Sequence, residues 1–233
     1  MDISQLLNKT AKKSVAEILQ IIANEFKNAT IFTTSFGIED QVITDIIFSN
    51  NLPIKVVSLD TGRLFEQTYK VQLNTITKYK KEIKVYAPQA SSLEKLLSEK
   101  GPYSFYESIE NRKECCNIRK VEPLNRALTG NKCWITGIRA EQSPNRTQME
   151  MIENDSSTGL VKIHPLHDWT TEMVIDYLEK NNVPYSNLHH KGFVSIGCEP
   201  CTRAIQKGED FRAGRWWWEN NSGKECGLHS TKS

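Results

Sequence analysis

No apolar run in this chain approaches the ~20 residues that span a bilayer, and Met1-Asp2-Ile3 opens it without a basic stretch leading into an apolar one, so neither a membrane anchor nor a secretory leader is expected. An excess of one charge is also missing. The 30 Lys and Arg against 28 Asp and Glu leave a formal charge of +2, too little to draw nucleic acid by bulk electrostatics, so any affinity for anions must rest on local clusters. Internal repeats and low-complexity tracts are absent, and 38% hydrophobic with 25% charged residues is an ordinary globular balance that excludes the disordered and fibrous classes. Histidines are few. His164, His167, His189 and His190 lack the regular spacing of a zinc site and read as surface or core residues.

Cysteine is what the chain does have. With a cytoplasmic location as the default, six cysteines in a reducing compartment read as ligands, catalysts or core residues rather than as a disulfide framework. Cys115-Cys116 and Cys198-Glu199-Pro200-Cys201 form two pairs, and four thiolates so collected suit either zinc or an iron-sulfur cluster. On spacing alone zinc ranks at least equal to iron. Cys133 sits in an apolar run and reads as a small core residue. Cys226, in Glu225-Cys226-Gly227-Leu228-His229, is left outside both pairs and is a candidate nucleophile, with arginines and a histidine near it in sequence.

Strands and helices alternate along the chain. Val15, Ile18, Leu19, Ile22 and Phe26 recur at helical spacing from Ser14 to Phe26; a β-branched strand from Thr30 to Thr34 follows, then the Ser35-Phe36-Gly37 loop and a helix carried by Ile38, Val42, Ile43, Ile46 and Ile47. Further strands are expected at Ile54 to Leu59, Ile83 to Ala87, Cys133 to Gly137 and Leu160 to His164. Further helices are expected at Phe65 to Tyr79, Ser91 to Glu99, Tyr103 to Leu128 and from Asp168 to about Lys180. This order predicts an α/β fold, a parallel twisted sheet with helices on both faces, whose ligands bind beyond the carboxyl ends of the strands. The loops at Ser35 and at Asp60-Thr61-Gly62-Arg63 then share one edge. Arg139 and Arg146 follow another strand end there and are candidates for phosphate or sulfate contacts. Adjacent thiols on a regular helix diverge, so a break near Cys115 is expected if Cys115 and Cys116 serve one cluster. Trp216-Trp217-Trp218 is expected to pack the tail against the body.

Taken together, the Ser35-Phe36-Gly37 loop, Leu59-Asp60-Thr61-Gly62-Arg63, Cys115-Cys116 with Arg119-Lys120-Val121-Glu122-Pro123-Leu124, Arg139 with Glu141-Gln142-Ser143, Cys198-x-x-Cys201 and Glu225-Cys226-Gly227-Leu228-His229 resemble the thioredoxin-dependent adenylyl-sulfate reductases of the phosphoadenylyl-sulfate reductase family. The resemblance runs from about Thr30 to His229. It implies an ATP-pyrophosphatase-like fold, a 4Fe-4S cluster on Cys115, Cys116, Cys198 and Cys201, and Cys226 as the catalytic nucleophile. It implies that Lys120, Arg146, Arg212, Arg215 and His229 surround the sulfate and phosphate, and that Leu59, Thr61, Gly62 and Arg63 line the adenosine site. Ser35, Phe36 and Gly37 stand for the pyrophosphatases' Ser-Gly-Gly phosphate loop, with Phe36 in place of the first glycine. The implied partners are adenylyl sulfate and thioredoxin or glutaredoxin, with no nucleic acid and no membrane, and a homo-oligomer is left open. The implied organisation is an N-terminal helical segment (1–29), a nucleotide-binding reductase domain with the cluster (30–210) and a C-terminal tail carrying Cys226 (211–233). A preference for the 3′-phosphorylated nucleotide, or dual use, is the near alternative, although members specialised for it generally lack the four cluster cysteines. A tRNA-thiolating pyrophosphatase would keep its Ser-Gly-Gly loop, and a zinc-stapled binding module would have no use for Cys226.

Overall fold

The computed structural model describes residues 3–142 and 149–219. Five parallel strands and one antiparallel edge strand form a single sheet in the order β3-β2-β1-β4-β6-β5: β1 Thr30–Thr34, β2 Lys55–Leu59, β3 Lys84–Tyr86, β4 Cys133–Ile135, β5 Ile152–Asp155 and β6 Leu160–Ile163. Strand β5 escaped the sequence reading because Glu153, Asn154 and Asp155 leave it almost no apolar signal; it is held by pairing with β6. Between β1 and β4 the strand order reverses, and at such a reversal the loops on the carboxyl edge diverge and open a crevice.

Period-two alternation sends neighbouring strand residues to opposite faces. Phe32, Val56, Cys133, Ile135 and Ile163 join one core with helices α1 (Ile3–Thr10), α2 (Val15–Phe26), α3 (Ile38–Ser49) and, beyond the sheet's other end, α8 (Thr171–Lys180). Ile31, Val57 and Trp134 pack on the other face against Leu124, Ala127 and Leu128 of α7 (Glu122–Leu128). The parallel sheet with helices on both faces is therefore as expected, and Cys133, fully buried, is a core residue. Helix α1 falls within the expected N-terminal helical segment 1–29, and its Leu6 joins the same core.

Local chemistry sets the helix ends. Ser14 and Glu17 make a reciprocal capping box at the start of α2, and the Thr170 hydroxyl accepts from Met173 N–H at the start of α8. The expected long helix from Tyr103 is broken. A 3₁₀ turn at Ser104–Tyr106 precedes α6 (Ile109–Cys116), which begins at the Ser108 cap; directly after Cys116 the chain widens into a π-helical turn, Asn117–Val121, before α7. Helix α4 (Glu66–Tyr79) follows β2, and α5 (Ala90–Lys100) follows β3.

Asp45 of α3 ties three helices together. Its carboxylate accepts from Tyr79 Oη of α4 at 2.6 Å and from Tyr177 Oη of α8 at 2.7 Å, and burial followed by this hydrogen bonding pushes both phenols up. Asp45→Ala is expected to leave both hydroxyls unmatched and to cost roughly 2–4 kcal/mol in urea denaturation. A loss below about 0.5 kcal/mol, the range of an ordinary surface change, would show that the network carries no stability.

Candidate active site

At the strand-order reversal lies a cavity of about 240 Å³. Its floor is the carboxyl edge of the sheet: Thr33 and Thr34 of β1 with Ser35 after it, Ser58 and Leu59 of β2, and Thr136 and Gly137 after β4. Gly37 begins α3 with no side chain capping it, so the helix N-terminus faces this edge, where the backbone dipoles favour an anion. Of the residues singled out from sequence, Ser35, Gly37, Leu59 and Thr61 line this cavity, and Lys120, Arg212 and Arg215 add its positive charge. Phe36 and Gly62 lie outside its lining. Phe36 is buried in the core, with its backbone in the left-handed region at φ 62° and its N–H donated to Thr34 Oγ1 at 3.0 Å, a strained turn that fixes the loop.

Arg63 turns the other way. Its guanidinium stacks over Phe105 at 4.9 Å, donates to Pro102 O, and lines a second pocket, the one enclosed by Cys115, Cys116, Cys198 and Cys201. Two widely separated stretches build that pocket. The π turn after Cys116 changes the angular step between residues, and the Cys198–Cys201 segment is pinned from three sides: Glu199 N–H donates to Arg63 O at 2.8 Å, Trp216 N–H to Cys201 O at 3.2 Å, and Tyr106 Oη to Pro200 O at 2.7 Å. Lys120, on the π turn, lines both pockets. Arg215 lines the larger cavity and stacks over Trp216, which lines the smaller, at 4.9 Å.

The electrostatics of three of these thiols differ. Burial pushes Cys115 up and Cys201 up to about 12, whereas at Cys198 the effect of burial is outweighed by Lys120, by Thr61 Oγ1 at 3.3 Å from Sγ and by Arg215, so its thiol is held below the ordinary value. Around them, Arg63 Nη1, Arg119 Nε and Trp216 Nε1 are buried donors with no hydrogen-bond acceptor among the described residues. Unmatched buried donors are costly, and a thiolate-held, sulfur-rich group with acceptors on several faces would satisfy them. The donor set thus fits an iron-sulfur cluster on chemical grounds.

Several residues of the site were not singled out from sequence. Asp40 Oδ2 accepts from both Ser35 N–H (2.6 Å) and Ser35 Oγ (2.7 Å), so the loop read as an anion donor gives two of its donors to a side chain. A Cβ on Gly137 would stand 2.3 Å from Asp40 Oδ1, so only glycine admits this approach; a Cβ on Gly197 would meet Arg215 Nη2 at the same distance. No local pattern marks either glycine, because both answer to residues distant in sequence. His189, read as surface or core, lines the large cavity and is held below the ordinary histidine value, chiefly by burial. His164 is a core residue, bonded to Thr136. Arg139 corrects the sequence reading. Rather than meeting an anion it is fully buried, donating to Glu39 Oε1 (2.9 Å), Trp169 O (2.9 Å), Thr171 Oγ1 (3.0 Å) and Glu141, and it cross-links the first turn of α3 and the start of α8 to the segment after β4. Arg146, Cys226 and His229 lie outside the described residues.

The tail contacts come out as expected for Trp216, which is 1% exposed beneath the Arg112 and Arg215 guanidinium groups, and for Trp218 against Phe105; Trp217 stays 40% exposed. Beyond them Glu219 forms a buried two-point ion pair with Arg112, at 2.7 and 2.9 Å.

Residues 29–204 match the phosphoadenosine phosphosulfate reductase domain. The chain belongs to that family. Its members are oxidoreductases acting on sulfur groups. The chain is 46% identical over 220 residues to the adenosine 5′-phosphosulfate reductase of Allochromatium vinosum, covering 94% of this chain and 86% of that protein. Among solved structures it is similar to the phosphoadenylyl-sulfate reductase of Candida auris in a phosphate complex, with TM-score 0.74, 30% identity, and 87% and 96% of the two chains covered. The FMN adenylyltransferase of Candida glabrata, at 16% identity and TM-score 0.56 over 99% of this chain and 78% of that one, shares the fold. No helix among the described residues is long and apolar enough to cross a membrane.

Asp40 gives this site a pH signature. Burial pushes its carboxyl from 3.8 up to about 6, with the Ser35 bonds pulling back and Glu39 adding to the rise. Below about pH 4 the group is neutral both folded and unfolded; above about 6 it is charged in both, and the folded state bears the burial cost. Its contribution to stability therefore falls as pH rises from 4 to 6, by about 3 kcal/mol in all. Asp40→Asn keeps an acceptor for Ser35 and removes the charge. The variant is expected to gain on wild type across this window in denaturation experiments run at a series of pH values; a difference independent of pH would count against a buried, charged Asp40.

Proposed function

We propose that this chain reduces adenylyl sulfate to sulfite and AMP, in the cytoplasm and in sulfate assimilation, with a protein dithiol of the thioredoxin or glutaredoxin kind as reductant. One observation carries the reading: Lys120 lines both the nucleotide-sized cavity and the four-cysteine pocket, so one fixed cation serves both. In this proposal Ser35, Phe36 and Gly37 form the phosphate loop at the N-terminus of α3, Leu59, Thr61, Gly62 and Arg63 belong to the adenosine side, and Arg146 and His229 join Lys120, Arg212 and Arg215 around the phosphosulfate. The domain reading is kept: a reductase domain over 30–210, preceded by a helical segment and followed by a tail. The packing of α2 into the sheet's own core makes that first segment part of the body it supports.

The chemistry needs cations first. A thiolate approaching a phosphosulfate meets an anion, and Lys120, Arg212 and Arg215 lower that barrier while stabilising charge on the departing phosphate. Cys226 Sγ is the proposed nucleophile. It attacks the substrate's sulfur, the sulfur–oxygen bond breaks, and its electron pair leaves with AMP, so Cys226 carries an S-sulfonate. A donor thiolate then attacks Cys226 Sγ, and sulfite departs with the pair from the sulfur–sulfur bond. The donor's second thiol opens the mixed disulfide, so the dithiol is oxidised by two electrons and the substrate sulfur is reduced by two. Cys226 follows Glu219 by seven residues, a reach of at most roughly 25 Å, and the Arg112–Glu219 pair fixes where that tether starts.

Cys115, Cys116, Cys198 and Cys201 would hold a 4Fe-4S cluster, which supplies a structural and electrostatic anchor rather than electrons for the substrate. What supports the cluster over the zinc module is the set of buried donors without acceptors among the described residues around the four thiols, Arg63 Nη1, Arg119 Nε and Trp216 Nε1, which a sulfur-rich group would match. For the nucleotide, the 46% identity to the adenosine 5′-phosphosulfate reductase of Allochromatium vinosum supports adenylyl sulfate over the 3′-phosphorylated form.

Four experiments test the proposal. Wild type incubated with adenylyl sulfate and no reductant is expected to gain one sulfonate, located on Cys226 by mass spectrometry. With thioredoxin and its reductase present it should show at least tenfold higher kcat/KM for adenylyl sulfate than for the 3′-phosphorylated form, a difference of about 1.4 kcal/mol. Cys226→Ser should release no sulfite while still binding nucleotide; normal turnover by that variant would eliminate the mechanism, and preference for the 3′-phosphorylated form would overturn the substrate alone. Separately, protein purified without oxygen is expected to carry about four irons per chain with acid-labile sulfide. Stoichiometric zinc and no sulfide would sink the cluster assignment.

A further inference from the structure

The proposed chemistry leaves His189 without a task. It sits in the 3₁₀ turn Asn187–Lys191, and after it the chain runs along the large cavity through Val194, Ser195, Ile196 and Gly197 to Cys198. His189 itself lines that cavity, and its Nε2 is buried with no hydrogen-bond partner among the described residues. A buried polar atom in that state is costly unless a group entering the cavity matches it.

The rest of the ring decides what Nε2 can match. The imidazole's own partner is the backbone of Phe193. That residue's N–H is already given to Leu188 O at 3.2 Å, so its carbonyl accepts a ring N–H, and with Nε2 unpartnered the donor is Nδ1. Burial keeps the imidazole neutral against the pull of Glu39, and His190 adds to the effect of burial. A neutral ring that donates from Nδ1 has only a lone pair at Nε2. It can take a proton from a hydroxyl or an amine, and it cannot bond an oxygen of phosphate or sulfate.

Placement separates the hydroxyl from the amine. Glu39, the carboxylate that His189 senses, lies on the β4 side of the crevice: it pairs with Arg139, and a Cβ on Gly137 would stand 3.1 Å from its own Cβ. The proposed adenosine residues, Leu59 to Arg63, end and follow β2, and β1 stands between β2 and β4. A base held there has β1 between its amine and His189, whereas the sugar, which joins base to phosphosulfate, can cross that strand with hydroxyls to give. We propose that His189 is a sugar-recognition residue, its Nε2 accepting a hydrogen bond from a ribose hydroxyl of the bound nucleotide. The inference rests on the nucleotide reading of the cavity and adds to its cations one neutral contact, which selects for a hydroxyl rather than for charge.

Calorimetric titration of the full chain, purified without oxygen, with AMP, 2′-deoxy-AMP, 3′-deoxy-AMP and IMP tests this apart from turnover. Wild type is expected to bind one of the two deoxy forms roughly fivefold more weakly than AMP, the effect of one lost hydrogen bond. In His189→Leu, which keeps much of the bulk and removes the acceptor, AMP should weaken roughly fivefold while that deoxy form is unaffected, so that the two bind alike. His189→Ala should give the same pattern and serves if the Leu variant does not fold. A general loosening of the cavity would weaken all four nucleotides together, and a contact with the base would erase discrimination against IMP, which lacks the amine. Either result, or discrimination unchanged in both variants, overturns the proposal. A wild type that binds AMP without distinguishing the deoxy forms overturns this inference alone; one that binds none of the four overturns the nucleotide reading and this inference with it.

Discussion

Positive charge held beside sulfur is the constraint on which this architecture depends. Lys120 stands in the wall between a nucleotide-sized cavity and a pocket of four cysteines, and Arg215 reaches the same wall through its stack on Trp216. A lysine there is costly to desolvate unless anions face it on both sides. The surroundings are built to supply them: an anion-favouring helix terminus on one side and thiols on the other, one of which Lys120 already helps to hold low.

Everything that positions Lys120 comes from an irregularity in the chain. The π turn at Asn117–Val121 interrupts a stretch that would otherwise run on as one helix from α6 to α7, and π turns of this kind collect at functional positions because they change which side chains share a face. Opposite it, Gly197 lets the Arg215 guanidinium approach the backbone where any side chain would collide. The Arg112–Glu219 pair then fastens the end of the described chain to α6, three residues before Cys115, so the proposed tail nucleophile and the cysteine pocket share one anchor.

The carboxylates on the far side of the cavity have a complementary part. Arg139 absorbs Glu39 in a buried pair and so joins the first turn of α3, which follows β1, to the loop after β4, the two segments that flank the strand-order reversal. Asp40 occupies Ser35's donors from within. The Ser35-Phe36-Gly37 loop is consequently pre-formed around a side chain, with the strained Phe36 backbone held in place by the core beneath it.

Sequence by itself determined the parallel α/β layering, the amphipathic α2 helix, the core role of Cys133 and the set of four cysteines, because hydrophobic period and residue chemistry are local signals that survive without coordinates. It also carried the family, through motifs whose order along the chain is specific. Tertiary structure alone decided where charges go. Arg139 looked suited to an anion and Arg63 to the adenosine site, but the guanidinium of one is consumed by Glu39 and that of the other turns to the cysteines, since an arginine's partner is set by whichever acceptor the fold brings within reach. Strand β5 exists only because β6 offers it an edge. Gly137, Gly197, Asp40 and His189 belong to the site through neighbours tens of residues away or across a loop, and contacts of that kind leave no period in the sequence to read.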